Sequence, residues 1–220
     1  KKEPDNIDAL FGYAQMLFYT DDLKKAEASL QKILNIDSKH APALAYMGKL
    51  AADSENYLRA TKYVTEAIKY DSTNYDYYLD LGTYYRYQGK YSEATKAWNK
   101  AVELDPTYFL AYAYLAGNYD EQSEFTKALE NYHKVIETNP KYFYAYESTA
   151  ILEYHLGNWA ASRKYFAEAY KYSQSVSYPL MIAATYIKEK NTLKAKEYLK
   201  PLLKTLDKES LDYAMVRFFY

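Results

Sequence analysis

The chain has no cysteine. That excludes disulfides, thiol catalysis and thiolate metal sites, and it fits either the cytoplasm or the bacterial periplasm. Histidine is nearly missing too, with 3 residues. Glycine and proline number 6 each, and no Gly-rich phosphate loop or G-x-S-x-G elbow occurs. An excess of charge of one sign is also absent: 28 Lys and Arg stand against 29 Asp and Glu, for a net −1. No global field would therefore draw in nucleic acid or an anionic membrane. No apolar run is long enough to span a bilayer.

What is present is a period. Ala26, Ala60, Ala94 and Ala128 stand 34 residues apart; Ser162 keeps the step and Ala195 misses it by one. Leu10, Leu44, Tyr78, Tyr112 and Tyr146 follow the same beat, as do Ala14, Gly48, Gly82, Ala116 and Ala150. A small residue at a fixed phase predicts two helices crossing too closely for a large side chain. A period of this length is that of stacked helix–turn–helix units.

Residues 75–108 carry a more specific signal. Tyr78, Leu81-Gly82, Tyr85, Gly89, Tyr91, Ala94, Trp98, Ala101 and Pro106 fall at repeat positions 4, 7–8, 11, 15, 17, 20, 24, 27 and 32. This pattern resembles the tetratricopeptide repeat. The resemblance implies an all-α, right-handed superhelical solenoid, one body over residues 1–220. Its units are placed at 7–40, 41–74, 75–108, 109–142, 143–175 and 176–209, with 210–220 opening a further helix. In residues 75–108 the first helix is expected from about Tyr75 to Gln88 and the second from about Ser92 to Leu104, with Ser92 and Glu93 serving its N-terminus. Asp105-Pro106 and Asn139-Pro140 read as helix stops, and Asp37-Ser38 and Asp71-Ser72 as weaker ones. Pro201 is expected to kink the last second helix, and the geometry to change near 173–180. The apolar tail LDYAMVRFFY is expected to be covered by a further repeat or by a partner.

Tyrosine is the unusual residue, 30 of 220. Tyr13, Tyr57, Tyr78, Tyr85, Tyr91, Tyr112, Tyr119, Tyr132 and Tyr146 occupy packing positions of the motif and are expected in the core. Tyr75, Tyr108-Phe109 and Tyr142-Phe143 flank the first helices and are expected to set the angle between units. Other aromatics fall at the positions that, by the resemblance, line a concave surface. That reading selects Phe11, Gln15, Phe18, Tyr19, Tyr46, Lys49, Asp76, Leu79, Asp80, Thr83, Arg86, Tyr87, Tyr114, Glu121, Tyr144, Glu147, Ile151, Tyr154 and His155. Tyr87, Tyr114 and Tyr154 are expected to share one concavity, and Arg86 to pair with Asp80 or with an acid of the partner. Gly117 reads as inner-face space or as simple tolerance.

The expected function is an interaction scaffold, not an enzyme. It would bind a neutral or basic protein segment in an aromatic, mildly acidic groove, with no metal, cofactor or nucleic acid. A clamp for a terminal carboxylate would need Lys and Asn at repeat positions 5 and 9. Those positions hold Phe11, Ala45, Leu79, Ala113 and Glu147, and Gln15, Lys49, Thr83, Gly117 and Ile151. Two alternatives stay open: self-assembly into a homo-oligomer, through the groove or the apolar end at Tyr213–Tyr220, and service as the accessory segment of a larger enzyme.

Overall fold

The computed structural model describes residues 6–219, and every regular element among them is a helix. The first helices are α1 (Ile7–Tyr19), α3 (Ala41–Asp53), α5 (Tyr75–Tyr87), α7 (Phe109–Glu121), α9 (Phe143–His155) and α11 (Ser177–Lys188). The second helices are α2 (Leu23–Ile36), α4 (Tyr57–Tyr70), α6 (Tyr91–Leu104), α8 (Phe125–Thr138), α10 (Trp159–Ser173) and α12 (Thr192–Leu199), followed by α13 (Leu202–Thr205) and α14 (Leu211–Phe219). None of these is long and apolar enough to cross a membrane.

Two backbone devices turn the chain. Between first and second helices one residue takes a left-handed conformation: Asp21, Glu55, Gly89, Ser123 and Gly157, 34 residues apart, then Lys190. Glycine meets that demand without steric cost, and the other four residues bear it. The second device ends the second helices. Asp37, Asp71 and Asp105 leave helical geometry at φ −133°, −139° and −136°. Their carboxylates accept from the backbone N–H of Lys39, Thr73 and Thr107 at 2.9, 3.0 and 2.9 Å. The aspartate side chain makes the turn, and the three second helices end in the same geometry with or without a following proline. Ser92 does not cap α6, which starts at Tyr91 with Lys90 before it and no side-chain cap bond.

Two compact units divide within α7, between Asn118 and Tyr119. In the first, Ala26, Ala60 and Ala94 are fully buried. A Cβ on Gly82 would lie 2.4 Å from Trp98 Nε1, and one on Gly48 3.3 Å from the Ala60 carbonyl oxygen. The small residues thus sit where first and second helices press together. Trp98 is itself fully buried and donates from Nε1 to the Leu79 carbonyl at 3.1 Å. Amides tie each pair to the one before. Gln88 Nε2 donates to the Tyr57 carbonyl at 3.1 Å and to Thr61 Oγ1 at 2.7 Å. Asn118 Nδ2 does the same to the Tyr91 carbonyl and Thr95 Oγ1, at 3.2 and 2.8 Å. Rings of Tyr75 and Tyr108 meet at 4.6 Å between the starts of α5 and α7.

In the second unit Ala128, Ser162 and Ala195 are buried. Phe166, Tyr146, Tyr178 and Ile182 form one core and Val176, Ala183, Ala195, Leu199 and Val216 another. Arg163 makes a bidentate pair with Glu189 at 2.8 and 3.2 Å, over the ring of Tyr186. Gln174, left-handed at φ 56°, ends α10. Pro201 separates α12 from α13, since its ring and missing N–H interrupt the ladder. In α14 Val216 is buried while Leu211 and Phe218 are exposed; Tyr220 lies outside the described residues.

The tyrosine core needs correction. Of the nine expected there, Tyr132 and Tyr146 are buried, and Tyr57, Tyr78, Tyr85, Tyr112 and Tyr119 are half-buried. Tyr13 and Tyr91 are exposed, at 46% and 39%. The phenol hydroxyl needs a partner or water, so a tyrosine at a packing position is favoured with its ring covered and its hydroxyl open to solvent. Tyr77, Tyr84 and Tyr178 are buried instead.

Candidate functional site

The first unit contains a cavity of about 320 Å³ built by α1, α3 and α5. From α1 come Phe11, Gln15 and Tyr19, from α3 Pro42, Ala45, Tyr46 and Lys49, and from α5 and its N-cap Asn74, Asp76, Tyr77 and Asp80. Helical spacing explains the convergence: residues three and four apart share a face, so Phe11, Gln15 and Tyr19 line up, as do Ala45, Tyr46 and Lys49.

The α3 ring organises the aromatic side. Tyr46 stands edge-on to Phe11 at 5.4 Å and to Phe18 at 5.6 Å. Its hydroxyl accepts from Gln15 Nε2 at 3.1 Å and shares a 3.4 Å hydrogen bond with the Tyr19 hydroxyl. Burial, then the Tyr19 hydroxyl, raises the pKa of Tyr46. His40 caps α3, accepting from the Ala43 N–H at Nδ1, and meets Phe11 edge-on at 5.4 Å.

The α5 side carries the acids. Asn74 caps the helix by accepting from the Asp76 N–H at 3.0 Å. Asp76 sits in the first turn, where the helix dipole favours a carboxylate, and accepts from the Tyr108 hydroxyl at 2.7 Å. One turn on, Asp80 is 21% exposed, and its Oδ2 is buried without a hydrogen-bond partner. Lys49 Nζ stands 3.6 Å from that oxygen, beyond hydrogen-bond reach, and 5.2 Å over the centre of the Tyr46 ring. Desolvation by burial raises the Asp80 pKa to about 6, with Lys49 opposing and Asp76 adding to the rise. Burial likewise pushes Tyr77 up to about 12, helped by Asp71. The charge partner of Asp80 is thus Lys49 of the neighbouring first helix, four residues from Ala45 on the same face.

The other selected residues lie elsewhere. Phe18 supports the cavity from behind, against Tyr19 and Tyr46. Leu79 gives its carbonyl to Trp98 Nε1 and to the Thr83 hydroxyl. Arg86 is half-buried near the end of α5. Tyr87 is 61% exposed and stacks on Tyr57 at 4.6 Å; Tyr114 stacks on Trp98 at 5.5 Å. Both rings are engaged with second helices and neither lines the cavity. In the second unit Tyr144, Ile151 and His155 are exposed along α9, with Glu147 between them. Tyr154 meets Trp159 edge-on at 5.0 Å, and Glu121 is exposed at the end of α7. Asn74 and Tyr77 were not among the selected positions. The Asn before an apolar helix is a cap signal, and Tyr77 is three residues from Asp80 on the same face.

Comparison with known proteins bears on the fold. Family models described as "TPR repeat" and "Tetratricopeptide repeat" match residues 82–117, and 115–176 and 7–40, more than half of the chain together. Human cilia- and flagella-associated protein 70 is 33% identical over 87 residues, which is 40% of this chain and 8% of that protein. The chain thus spans only a small part of that relative's length. The crystal structure of MamA is 25% identical, with a TM-score of 0.68 over 73% of this chain and 94% of that one. The structure of pilF from Pseudomonas aeruginosa is 20% identical, with a TM-score of 0.76 over 100% of both chains. An all-helical chain of 34-residue helix pairs, matched by these models, belongs to the tetratricopeptide repeat family.

Proposed function

We infer that this chain is an interaction scaffold whose first unit binds a segment of a protein partner at the α1–α3–α5 cavity. Tetratricopeptide repeats are generally protein–protein interaction modules. The observation that carries the specific reading is the convergence of Phe11, Tyr19, Tyr46 and Tyr77 with Asp76 and Asp80 around one opening. Its volume falls in the range of ligand pockets. Rigid aromatics with polar tips are efficient interface anchors, because few rotamers are lost when they are covered. The reading assigns no reaction to residues 1–220. The exposed face of α9, with Tyr144, Ile151 and His155, offers the second unit a contact surface of its own.

The test is a random peptide display library panned on the purified chain. Enriched peptides should lose at least tenfold in affinity for Tyr19→Ala/Tyr46→Ala, the scale of an interface anchor. They should bind Tyr70→Ala, a second-helix surface change, like the parent. Peptides indifferent to the first pair would refute the cavity. Exposed Leu211 and Phe218 on α14 favour self-assembly as a second reading; a mass that stays monomeric across a hundredfold concentration range would dismiss it.

A further inference from the structure

The cavity carries an excess of negative charge at its acidic wall, Asp76 and Asp80 against Lys49. Asp80 Oδ2 is buried and accepts no hydrogen bond. A buried carboxylate oxygen held by so long an ion pair is only partly compensated. Lys49 comes only to 3.6 Å and keeps its side chain 35% exposed, so it compensates the charge without supplying the bond. It is the one cation among the described lining residues, against two carboxylates. Its ammonium already rests over the Tyr46 ring. The chemistry that suits this wall is thus on display: a cation, held by a ring face and a carboxylate.

We propose that the cavity receives the lysine or arginine side chain of the bound segment, its cationic head set against the acidic wall formed by the exposed Asp76 carboxylate and Asp80, with the Tyr46 and Tyr77 rings around it. The proposal rests on the groove reading above and names what enters. A neutral apolar side chain would leave the excess negative charge of the wall unbalanced. An acidic one would meet Asp76 and Asp80. A basic one brings the three charges to balance. The groups facing Asp80 are Lys49 and Tyr46 from α3, Asp76, Tyr77 and Tyr84 from α5, and Tyr108. None of the tyrosines ionises near neutrality, and pH 7.5 lies above the Asp80 pKa of about 6.

The probes are acetyl-Ala-Ala-Lys-Ala-Ala-amide, its arginine counterpart and its norleucine isostere, which keeps the shape and removes the charge. Each is titrated into the isotope-labelled chain at pH 7.5 while the amide signals of Tyr46, Lys49 and Asp80 are followed. The lysine and arginine peptides should saturate at least tenfold more tightly than the norleucine peptide. Asp80→Asn, which keeps the shape of the wall, should abolish the advantage of the lysine peptide over the norleucine peptide. Equal binding of lysine and norleucine overturns the proposal, as does an Asp80→Asn chain that binds lysine like the parent. If, in that event, Tyr19→Ala/Tyr46→Ala still weakens both peptides, the groove reading stands and only its preference for a cation falls. n-Butylammonium binding as tightly as the lysine peptide would assign the seat to a free amine and also overturn it. So would a lysine peptide that moves none of the three signals.

Discussion

A carboxylate that weakens its own fold marks the residue scale. The folded chain holds the Asp80 pKa at about 6 against an ordinary 3.8, chiefly because burial disfavours the charge. The folded state therefore binds this proton more tightly than the unfolded state. The associated stability is fully present below the ordinary pKa and is lost as pH rises through 6. The full difference is on the order of 3 kcal/mol. Asp80→Asn should accordingly melt at a higher temperature than the parent at pH 7.5, with the advantage gone by pH 4. Thermal melts of both chains across that range decide it, and equal melting points at pH 7.5 would show that Lys49 fully compensates the charge. Asp80 was legible as an acid on an inner first-helix position. The long ion pair of its buried oxygen was not, because that depends on how far Lys49 reaches from another helix.

At the scale of elements the crossing of α5 and α6 is the sharpest case. A methyl on Gly82 would overlap the buried Trp98 indole, whose Nε1 is tied to the Leu79 carbonyl. Gly82→Ala should therefore cost about 1–3 kcal/mol, the usual range for an overpacked core. Gly117 in α7 has nothing within 4 Å of the same methyl, and Gly117→Ala should stabilise by up to about 1 kcal/mol through helix propensity. Denaturant unfolding of the two single variants separates them, and a Gly82→Ala chain as stable as the parent would mean that the helices are not in contact there. The 34-residue step of small residues made such crossings readable, since only a small side chain fits at a close approach. The turns were readable in part. Gly89 and Gly157 advertise a left-handed residue, whereas Asp21, Glu55 and Ser123 adopt the same conformation with no sequence signal. The helix ends at Asp37 and Asp71 share the geometry of Asp105 because the Asx turn is common to all three, whereas the proline follows Asp105 alone.

For the whole molecule the distribution of buried residues predicts a gradient of local stability. α3 alone buries eight residues, from Ala41 to Ala51. Across α12, α13 and α14 the described buried residues are Ala195, Leu199 and Val216, and Pro201 interrupts the helix between them. Amide hydrogens in α12–α14 should thus exchange well before those of α3–α6, because they open with less apolar surface exposed. Hydrogen-exchange mass spectrometry checks this; protection as strong in Thr192–Phe219 as in Ala41–Leu104 would contradict it.

The sequence by itself determined the repeat. Small residues at a 34-residue step, aromatic positions in phase with them and breaks between helices are local or periodic facts, and helix pairing follows from them by sterics. It also selected the first-helix positions from which Phe11, Gln15, Tyr19, Tyr46, Lys49, Asp76 and Asp80 converge. The tertiary structure decided what each of many similar tyrosines does. Tyr77 and Tyr84 are buried, Tyr13 and Tyr91 meet water, and Tyr87 and Tyr114 turn to stack on second helices. A phenol suits core, rim and surface alike, so its place depends on which neighbour covers the ring and whether a partner is within reach of the hydroxyl. The same holds for Asp80 and Lys49, 31 residues apart, whose pairing and whose gap of 3.6 Å exist only once α3 and α5 lie side by side.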